Sequence, residues 1–213
     1  TLQAFRDLFA GEVLRPGDEV AIAQIALLFT DLSGSTALYE RIGDAAAYHL
    51  VREHFAFLAR TIRDNDGAIV KTIGDAVMAA FAEPADAVRA AIAVQAGVAD
   101  FNSRQEGAEI AIKMGVHAGH CIAVTLNDRL DYFGQMVNLA ARLQGLARSG
   151  EVLLSETLAD DPEVAEVLAG VASGAAETVS VRGVERPVAV LRLAGPFDGQ
   201  RGGRQGSGKE DGA

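Results

Sequence analysis

One stretch, Ile25 to Thr36, constrains the fold of this chain more than any other. It opens with the apolar run Ile-Ala-Leu-Leu-Phe, which is typical of a strand buried on both faces of a sheet. The run stops at Asp31, and a turn of Ser and Gly follows before a helical pattern begins. The sequence therefore places a carboxylate at the end of a core strand, just ahead of free backbone N–H groups. A divalent cation and a polyphosphate both suit such a place, but taken alone Asp31 is better explained as a helix cap.

Composition limits the fold and the partners that this chain can have. A length of 213 residues with 49% hydrophobic residues is enough for one domain with a substantial core. A net charge of −10 argues against nucleic acid as a partner, because phosphate backbones attract basic surfaces. The single cysteine, Cys121, excludes an internal disulfide framework. We see neither a membrane-spanning apolar run nor a signal peptide, and we expect a cytoplasmic protein.

The hydrophobic pattern predicts hairpins that alternate with helices. Two apolar runs flank Gly74-Asp75 and indicate a β-hairpin, and two more strands are predicted over 110–117 and 121–124. Because hairpins force antiparallel neighbours, we expect an α+β fold in which one mainly antiparallel sheet is covered by helices. The second helix is predicted to bury a face of residues three and four apart, namely Tyr48, Val51, Phe55, Leu58 and Ile62.

We expect three segments along the chain. Residues 1–21 form a short amphipathic connector and residues 22–194 form the domain, while the Gly-rich polar stretch 195–213 is predicted to be a disordered tail. The chain begins with Thr1 rather than Met. We therefore expect a part of a longer protein that carries a regulatory domain elsewhere.

Two acidic residues follow strands at positions where they can meet. Asp31 ends the first apolar run, and Asp75 occupies the tip of the predicted hairpin. If the two strands are neighbours, the carboxylates converge at one edge of the sheet, where a cation relieves their mutual repulsion. Two Mg²⁺ ions held in this way form a clamp for in-line displacement at phosphorus. Each acid on its own is equally an ordinary cap or turn residue.

Four further polar side chains interrupt apolar surroundings. Lys71 lies in a predicted strand and Asp131 in an aromatic stretch, and such a donor and acceptor together match the edge of adenine, whereas guanine offers the reverse pair. Asn138 and Arg142 are one helical turn apart and therefore share a face. They suit a sugar and a transferring phosphoryl group. The alternative for all four is an ordinary solvent-exposed position.

In combination these residues resemble a known family. Three motifs occur in order: Phe-Thr-Asp-Leu-Ser-Gly-Ser-Thr over 29–36, Lys-Thr-Ile-Gly-Asp-Ala-Val-Met over 71–78, and Leu-Asp-Tyr-Phe-Gly-Gln-Met-Val-Asn-Leu-Ala-Ala-Arg over 130–142. The set resembles the catalytic domain of the class III nucleotidyl cyclases, the adenylyl and guanylyl cyclases, in a bacterial-like adenylyl form. The resemblance covers roughly residues 22–193, the size of one domain, and implies a ferredoxin-like, palm-type core.

The resemblance implies a metal and phosphate site at the first motif. Asp31, Asp75 and the carbonyl of Leu32 correspond to the ligands of two divalent cations, Mg²⁺ or Mn²⁺. The loop that surrounds the β- and γ-phosphates corresponds to Ser33, Gly34, Ser35 and Thr36. A late lysine that contacts the triphosphate in the family has Arg182 as its counterpart here, with Arg186 as the alternative.

The same resemblance implies roles for the other polar residues. Lys71 and Asp131 correspond to the purine-reading pair in the form found in adenylyl cyclases. Asn138 corresponds to the residue that orients the ribose, and Arg142 to the residue that stabilises the transition state. In this family the aspartates of one subunit meet the other four side chains of its partner, so a homodimer with two equivalent sites is expected.

The implied activity is that of an adenylyl cyclase, which converts ATP to 3′,5′-cyclic AMP and pyrophosphate. The ribose 3′-hydroxyl attacks the α-phosphate with the assistance of two metal ions. The alternatives are a guanylyl cyclase and a catalytically silent module for nucleotide binding or dimerisation. A diguanylate cyclase would need a Gly-Gly-acidic-acidic-Phe hairpin, whereas this hairpin carries Gly-Asp-Ala over 74–76.

Overall fold

A curved sheet of eight strands organises the chain. The computed structural model describes residues 19–105, 108–126, 129–171, 174–184, 186–195 and 197. The strands are β1 (Glu19–Leu32), β2 (Gly67–Ile73), β3 (Ala76–Phe81), β4 (Ile112–Leu126), β5 (Arg129–Phe133), β6 (Glu151–Ser155), β7 (Ala175–Val179) and β8 (Val188–Ala194). The helices are α1 (Ser35–Ile42), α2 (Asp44–Arg63), α3 (Pro84–Ser103), α4 (Gln135–Leu146), α5 (Glu156–Ala159) and α6 (Pro162–Leu168).

The strand order confirms the predicted α+β class. The strands lie in the order β2-β3-β1-β4-β6-β8-β7, and β5 pairs with β4 outside this path. Every pairing is antiparallel except that of β4 with β6, which is parallel. The longest ladder joins β1 and β4 and runs from Glu19 opposite Thr125 to Leu32 opposite Ile112. This pair forms the centre of the sheet and fixes where β1 ends.

The part of β1 from Ala26 to Thr30 is buried on both faces, as the apolar run predicts. Ala26 and Leu28 belong to the main core, which lies between the sheet and helices that include α1, α2 and α3. Leu27 and Phe29 point to the other face, where they pack with Met136 of α4 and with other apolar residues. Because both faces are covered, the strand has no freedom to slip by one residue without exposing its apolar side chains.

The predicted buried face of α2 was wrong in phase. Tyr48 is 72% exposed, whereas the residues that are buried are Ala47, Leu50, His54, Leu58 and Ile62. The two faces share Leu58 and Ile62, so the period of the pattern was correct. A histidine occupies the middle of the true face, and a pattern of apolar residues alone passes over it.

Strand β4 is continuous, whereas two strands with a turn at 118–120 were predicted. Gly119 pairs with Ile25 in the long ladder with β1, so the chain stays extended through this position. The polar and aromatic stretch after β4 forms a strand, β5, rather than a loop. His117 is half-buried and its Nδ1 lies 2.7 Å from Ser155 Oγ, while His120 is exposed.

The ends of the domain differ slightly from the predicted bounds. Residues 19–21, which were assigned to the connector, belong to β1, and the rest of the connector lies outside the described residues. Phe197 packs against the main core, and the predicted tail from residue 198 onward also lies outside the described part. In the part of the chain that the structure describes, no helix has both the length and the apolar character needed to cross a bilayer.

Candidate active site

Asp31 and Asp75 lie at neighbouring strand ends, as the sequence predicts. Strands β1 and β3 are adjacent, and their register pairs Thr30 with Val77. Asp31 follows Thr30, and Asp75 lies in the two-residue turn before β3, so both carboxylates reach the same edge of the sheet. Both also act electrostatically on Tyr39 of α1 and on His54 of α2, which places the four side chains in one cluster.

The Asp75 carboxylate has an unused oxygen. Its Oδ2 is buried and has no hydrogen-bond partner among the described residues. The buried Tyr39 hydroxyl likewise has no partner of standard geometry within that part of the chain. Burial raises the pKa of Tyr39 to about 12, and the nearby Asp75 and Asp31 carboxylates add to the shift. The phenol therefore stays protonated and is available as a donor beside the two acids.

Asp31 is neutralised by a lysine that the sequence analysis did not single out. Lys113 of β4 lies directly opposite Asp31 in the ladder, and its Nζ is 2.9 Å from Asp31 Oδ2. Gln144 Nε2 of α4 lies 3.5 Å from the same oxygen. The side chains of Asp31 and Lys113 are 27% and 26% exposed, so the pair is partly screened by solvent.

The donor set of this cluster fits a hard divalent cation. An unpaired buried carboxylate oxygen is the ligand atom that Mg²⁺ prefers, and two acids at one edge supply the charge. The described residues contain no cluster of three or more His, Cys, Asp or Glu side chains that would hold a metal alone. A cation here would complete its shell with backbone oxygen, water and phosphate, which is how Mg²⁺ is commonly held beside nucleotides.

The loop after β1 leads directly into the N-terminus of α1. Gly34 has a φ of +68° and is the N-cap of α1, so the chain turns sharply behind Asp31. Ser33 N donates to Ala111 O at 2.8 Å, which ties the loop to the segment before β4. The buried Ser33 Oγ lacks a partner in the described portion of the chain. The first N–H groups of a helix have no partner within the helix, so this loop offers donors to an anion.

Lys71 and Asp131 are brought together, although 60 positions separate them. Lys71 Nζ lies 2.8 Å from Asp131 Oδ1 and 2.6 Å from Oδ2. Their side chains are 40% and 28% exposed, so the pair borders solvent. The Tyr132 N–H also donates to Asp131 Oδ1 at 2.8 Å and fixes the carboxylate. A cationic donor and an anionic acceptor therefore lie side by side at the surface.

Sheet curvature makes this pairing possible. Strands β3, β1 and β4 lie between β2 and β5 in hydrogen-bonding order, yet β2 and β5 are in contact. The register of β2 against β3 also shifts between Ile69 and Lys71, which marks a β-bulge. Bulges bend a strand and re-aim its side chains, and they occur often beside active sites.

Helix α4 carries the remaining predicted residues. Asn138 is exposed and Arg142 is half-buried one turn later. The Arg142 guanidinium lies against Gly183, in the turn that follows Arg182. Arg182 and Arg186 are both exposed. The structure thus brings the turn that contains Arg182 next to Arg142.

His54 lies in the same cluster as the acids and is fully buried. Neither ring nitrogen has a hydrogen-bond partner of good geometry among the described residues. Burial lowers the pKa of His54 to about 4, although the nearby Asp75 and Asp31 oppose the shift. The ring is therefore neutral at neutral pH.

Comparison with known proteins identifies the family. The sequence matches the family model of the adenylate and guanylate cyclase catalytic domain over residues 19–188. The chain belongs to this family. The matched region contains every residue that the sequence analysis placed in the site.

Relatives of this cyclase domain include much longer proteins. An adenylate cyclase of Mycosarcoma maydis is 33% identical over 176 residues, which are 71% of this chain and 7% of that protein. An uncharacterized protein of Mycobacterium tuberculosis is 35% identical over 159 residues, which are 75% of this chain and 39% of that protein. The chain therefore spans less than half the length of either relative.

Solved cyclases of both substrate types share the fold. The adenylyl cyclase CyaB from P. aeruginosa has a TM-score of 0.71 and 24% identity, over 83% of this chain and 96% of that one. The guanylyl cyclase Cya2 has a TM-score of 0.74 and 20% identity, over 82% and 93%. Because one fold serves both types, the substrate has to be argued from the residues of the site.

Sequence reasoning missed four residues of this cyclase site: Tyr39, His54, Lys113 and Gln144. A lysine in an apolar strand was the signal that led to Lys71, and the same signal was present at Lys113. What the sequence lacked was the register that sets Lys113 opposite Asp31. No sequence signal distinguishes Tyr39 or Gln144 from ordinary helical residues.

The neutral His54 predicts a specific pH dependence of stability for the cyclase domain. The pKa of His54 is lowered in the folded state. As pH falls from about 7 to 4, the unfolded chain therefore binds more protons at His54 than the folded chain does. Stability is therefore lost over this window, and His54 contributes roughly 3 kcal/mol of that loss, an estimate from the pKa of about 4. Denaturant unfolding of wild type and His54→Leu, without metal, measures it.

Between about pH 7 and pH 4, the free energy of unfolding should fall in both proteins. We expect the fall to be roughly 3 kcal/mol larger for wild type than for His54→Leu. His49→Leu serves as the control, because His49 is exposed on the same helix. Wild type and His54→Leu curves that stay parallel down to pH 4 would contradict the buried neutral ring.

Proposed function

We propose that this cyclase domain is an adenylyl cyclase that converts ATP to 3′,5′-cyclic AMP and pyrophosphate in the cytoplasm. The observation that carries the choice of ATP is the pair formed by Lys71 and Asp131. The lysine donates to adenine N1 and the carboxylate accepts from the N6 amino group. Guanine presents the opposite pattern at both positions, so it sets a donor against Lys71 and an acceptor against Asp131.

Asp31, Asp75 and the Leu32 carbonyl would hold two divalent cations, Mg²⁺ or Mn²⁺. When bound, such ions activate the ribose 3′-hydroxyl as a nucleophile and neutralise charge on the triphosphate. The buried, unpaired Asp75 Oδ2 supports this assignment. Lys113 balances the charge of Asp31 when no cation is present.

Backbone donors and arginines bind the triphosphate. The N–H groups of Gly34, Ser35 and Thr36, at the start of α1, and the unpaired Ser33 hydroxyl face the β- and γ-phosphates. Arg182 adds a cation. Asn138 holds the ribose so that its 3′-oxygen is in line with the α-phosphorus. A bond forms between these atoms while the bond to pyrophosphate breaks. Arg142 donates to the α-phosphoryl oxygens as their charge changes.

A homodimer completes the site. Gln144 reaches Asp31 of its own chain, and Arg142 precedes it by two residues on α4. At 3.6 residues per turn, two residues are about 200° apart, so the Arg142 side chain leaves the helix on the opposite side from Asp31. Arg142 and Asn138 therefore serve the metal site of a second copy, in two equivalent sites related by symmetry.

Product formation tests the proposal directly. Incubated with ATP and Mg²⁺ or Mn²⁺, the protein should form cyclic AMP and pyrophosphate in equal amounts, and GTP should react far more slowly. Because a shared site exists only in the dimer, specific activity should rise with protein concentration until dimerisation is complete. Sedimentation measured at the same concentrations locates the monomer–dimer transition.

The alternatives correspond to distinct outcomes. Faster turnover of GTP than ATP would identify a guanylyl cyclase and overturn the assignment of Lys71 and Asp131. Tight binding of ATP without product, under either metal and at concentrations where the dimer is complete, would identify a silent regulatory module. Constant specific activity across a dilution series that dissociates the dimer would refute the shared site.

A further inference from the structure

The turn between β7 and β8 bears on the arginine of α4. Val184 N donates to Val181 O at 3.0 Å and closes a turn over residues 181–184. Gly183 lies in this turn with a φ of +75°, a conformation that favours glycine. Its Cα faces the end of the Arg142 side chain.

The space beside Gly183 is filled by the guanidinium. A Cβ built on Gly183 would lie 3.2 Å from both Nη1 and Nη2 of Arg142 and 3.5 Å from Cζ. Such a carbon is equidistant from the two terminal nitrogens and farther from Cζ, so it lies at the open end of the guanidinium fork. That end is where an oxygen of a phosphoryl group accepts hydrogen bonds from both nitrogens.

No polar partner fixes Arg142 within the described residues, and its guanidinium forms no hydrogen bond or ion pair there. The contact that the described residues show for the end of the fork is the one with the turn at Gly183. A methyl group at 183 would meet the far end of a flexible side chain, so the arginine moves rather than the backbone.

We infer that Gly183 is a positioning residue for Arg142: the absence of a side chain there keeps the end of the guanidinium fork clear for the substrate. This inference rests on the proposed cyclase function. The inference goes beyond that function because it assigns a role to the turn over residues 181–184, at a glycine that has no reactive group of its own.

Gly183→Ala tests the inference. We expect kcat for ATP to fall about tenfold, the effect of misplacing one charged donor, with less than a twofold change in KM. Gly150→Ala is the matched control, since Gly150 has a φ of +77° and nothing within 4 Å of the added Cβ. It imposes the same backbone strain without touching Arg142, and its kcat should equal that of wild type.

Two further variants separate crowding from strain. Asparagine tolerates positive φ better than alanine but is larger, so Gly183→Asn should lower kcat at least as much as Gly183→Ala. Strain alone predicts the reverse order. In an Arg142→Ala background, Gly183→Ala should cause no additional loss, because the two changes remove the same contact.

Outcomes for the inference and for the proposed function are distinct. A wild type that forms no cyclic nucleotide overturns both. A wild type that forms cyclic AMP, together with a Gly183→Ala variant of unchanged kcat, overturns the inference alone. An equal loss of kcat from Gly183→Ala in the wild-type and Arg142→Ala backgrounds also overturns the inference, since the substitution would then act through something other than Arg142.

Discussion

Replacing Asp75 by alanine is expected to lower the rate of cyclic AMP formation by about 1,000-fold or more. A bound metal supplies several kcal/mol of charge stabilisation, and each ~1.4 kcal/mol is a factor of ten in rate. The fold should persist, because the buried Asp75 Oδ2 has no hydrogen-bond partner of standard geometry among the described residues, so its removal leaves no strongly bonded partner behind. Initial rates at saturating ATP and Mg²⁺, with a thermal unfolding curve, measure both effects.

Asp31→Ala should cause a comparable loss of activity. It also leaves Lys113 without its carboxylate partner, so Asp75→Ala is the cleaner variant. Asp100→Ala is the control, because Asp100 is 72% exposed on α3, where it pairs with Arg104. Activity near that of wild type in either Asp31→Ala or Asp75→Ala under Mg²⁺ would refute the metal assignment.

Exchanging the charges of the purine pair should reverse the choice of base. In the double variant Lys71→Glu, Asp131→Lys, an ion pair still forms, but the acceptor now faces guanine N1–H and the donor faces O6. Sites that hydrogen-bond a base reject the wrong partner strongly, so the ratio of kcat/KM for ATP over GTP should fall by at least about 100-fold. Chromatographic measurement of cyclic AMP and cyclic GMP gives this ratio.

An exposed ion pair provides the control for this exchange. Asp100→Arg, Arg104→Asp swaps a surface pair on α3 and should leave the ratio unchanged. A double variant that keeps the dimer and the ATP preference of wild type would show that Lys71 and Asp131 do not read the base.

The sequence predicted the class of the fold and the two strand ends that carry Asp31 and Asp75, but not the detailed geometry around them. The buried run before Asp31 and the Gly74-Asp75 hairpin were both confirmed, since strong local patterns determine them. The phase of α2 was wrong because the pattern places the aromatic Tyr48 inside and the polar His54 outside, whereas Tyr48 is exposed and His54 is buried. The continuity of β4 was not predicted because glycine commonly marks the end of a strand. At Gly119 the long ladder with β1 keeps the chain extended instead.

Long-range register accounts for what was missed in the site. Lys113 becomes a partner of Asp31 only because fourteen residues of β1 face β4 in one register. The contact of β2 with β5 depends on the curvature of the whole sheet, which no local pattern encodes. The structure does bring Lys71 and Asp131 together, as a shared role predicts, while that role in reading the base stays a prediction.

The contact between Lys71 and Asp131 has a consequence for discrimination among metabolites. With no base present, Lys71 and Asp131 already pair with each other. In the proposed role of this pair, an incoming base has to replace both partners in one event, and a base that replaces only one leaves the other charge unpaired. The proposed site would then select its nucleotide by excluding partial matches, and we expect only modest affinity for the correct one.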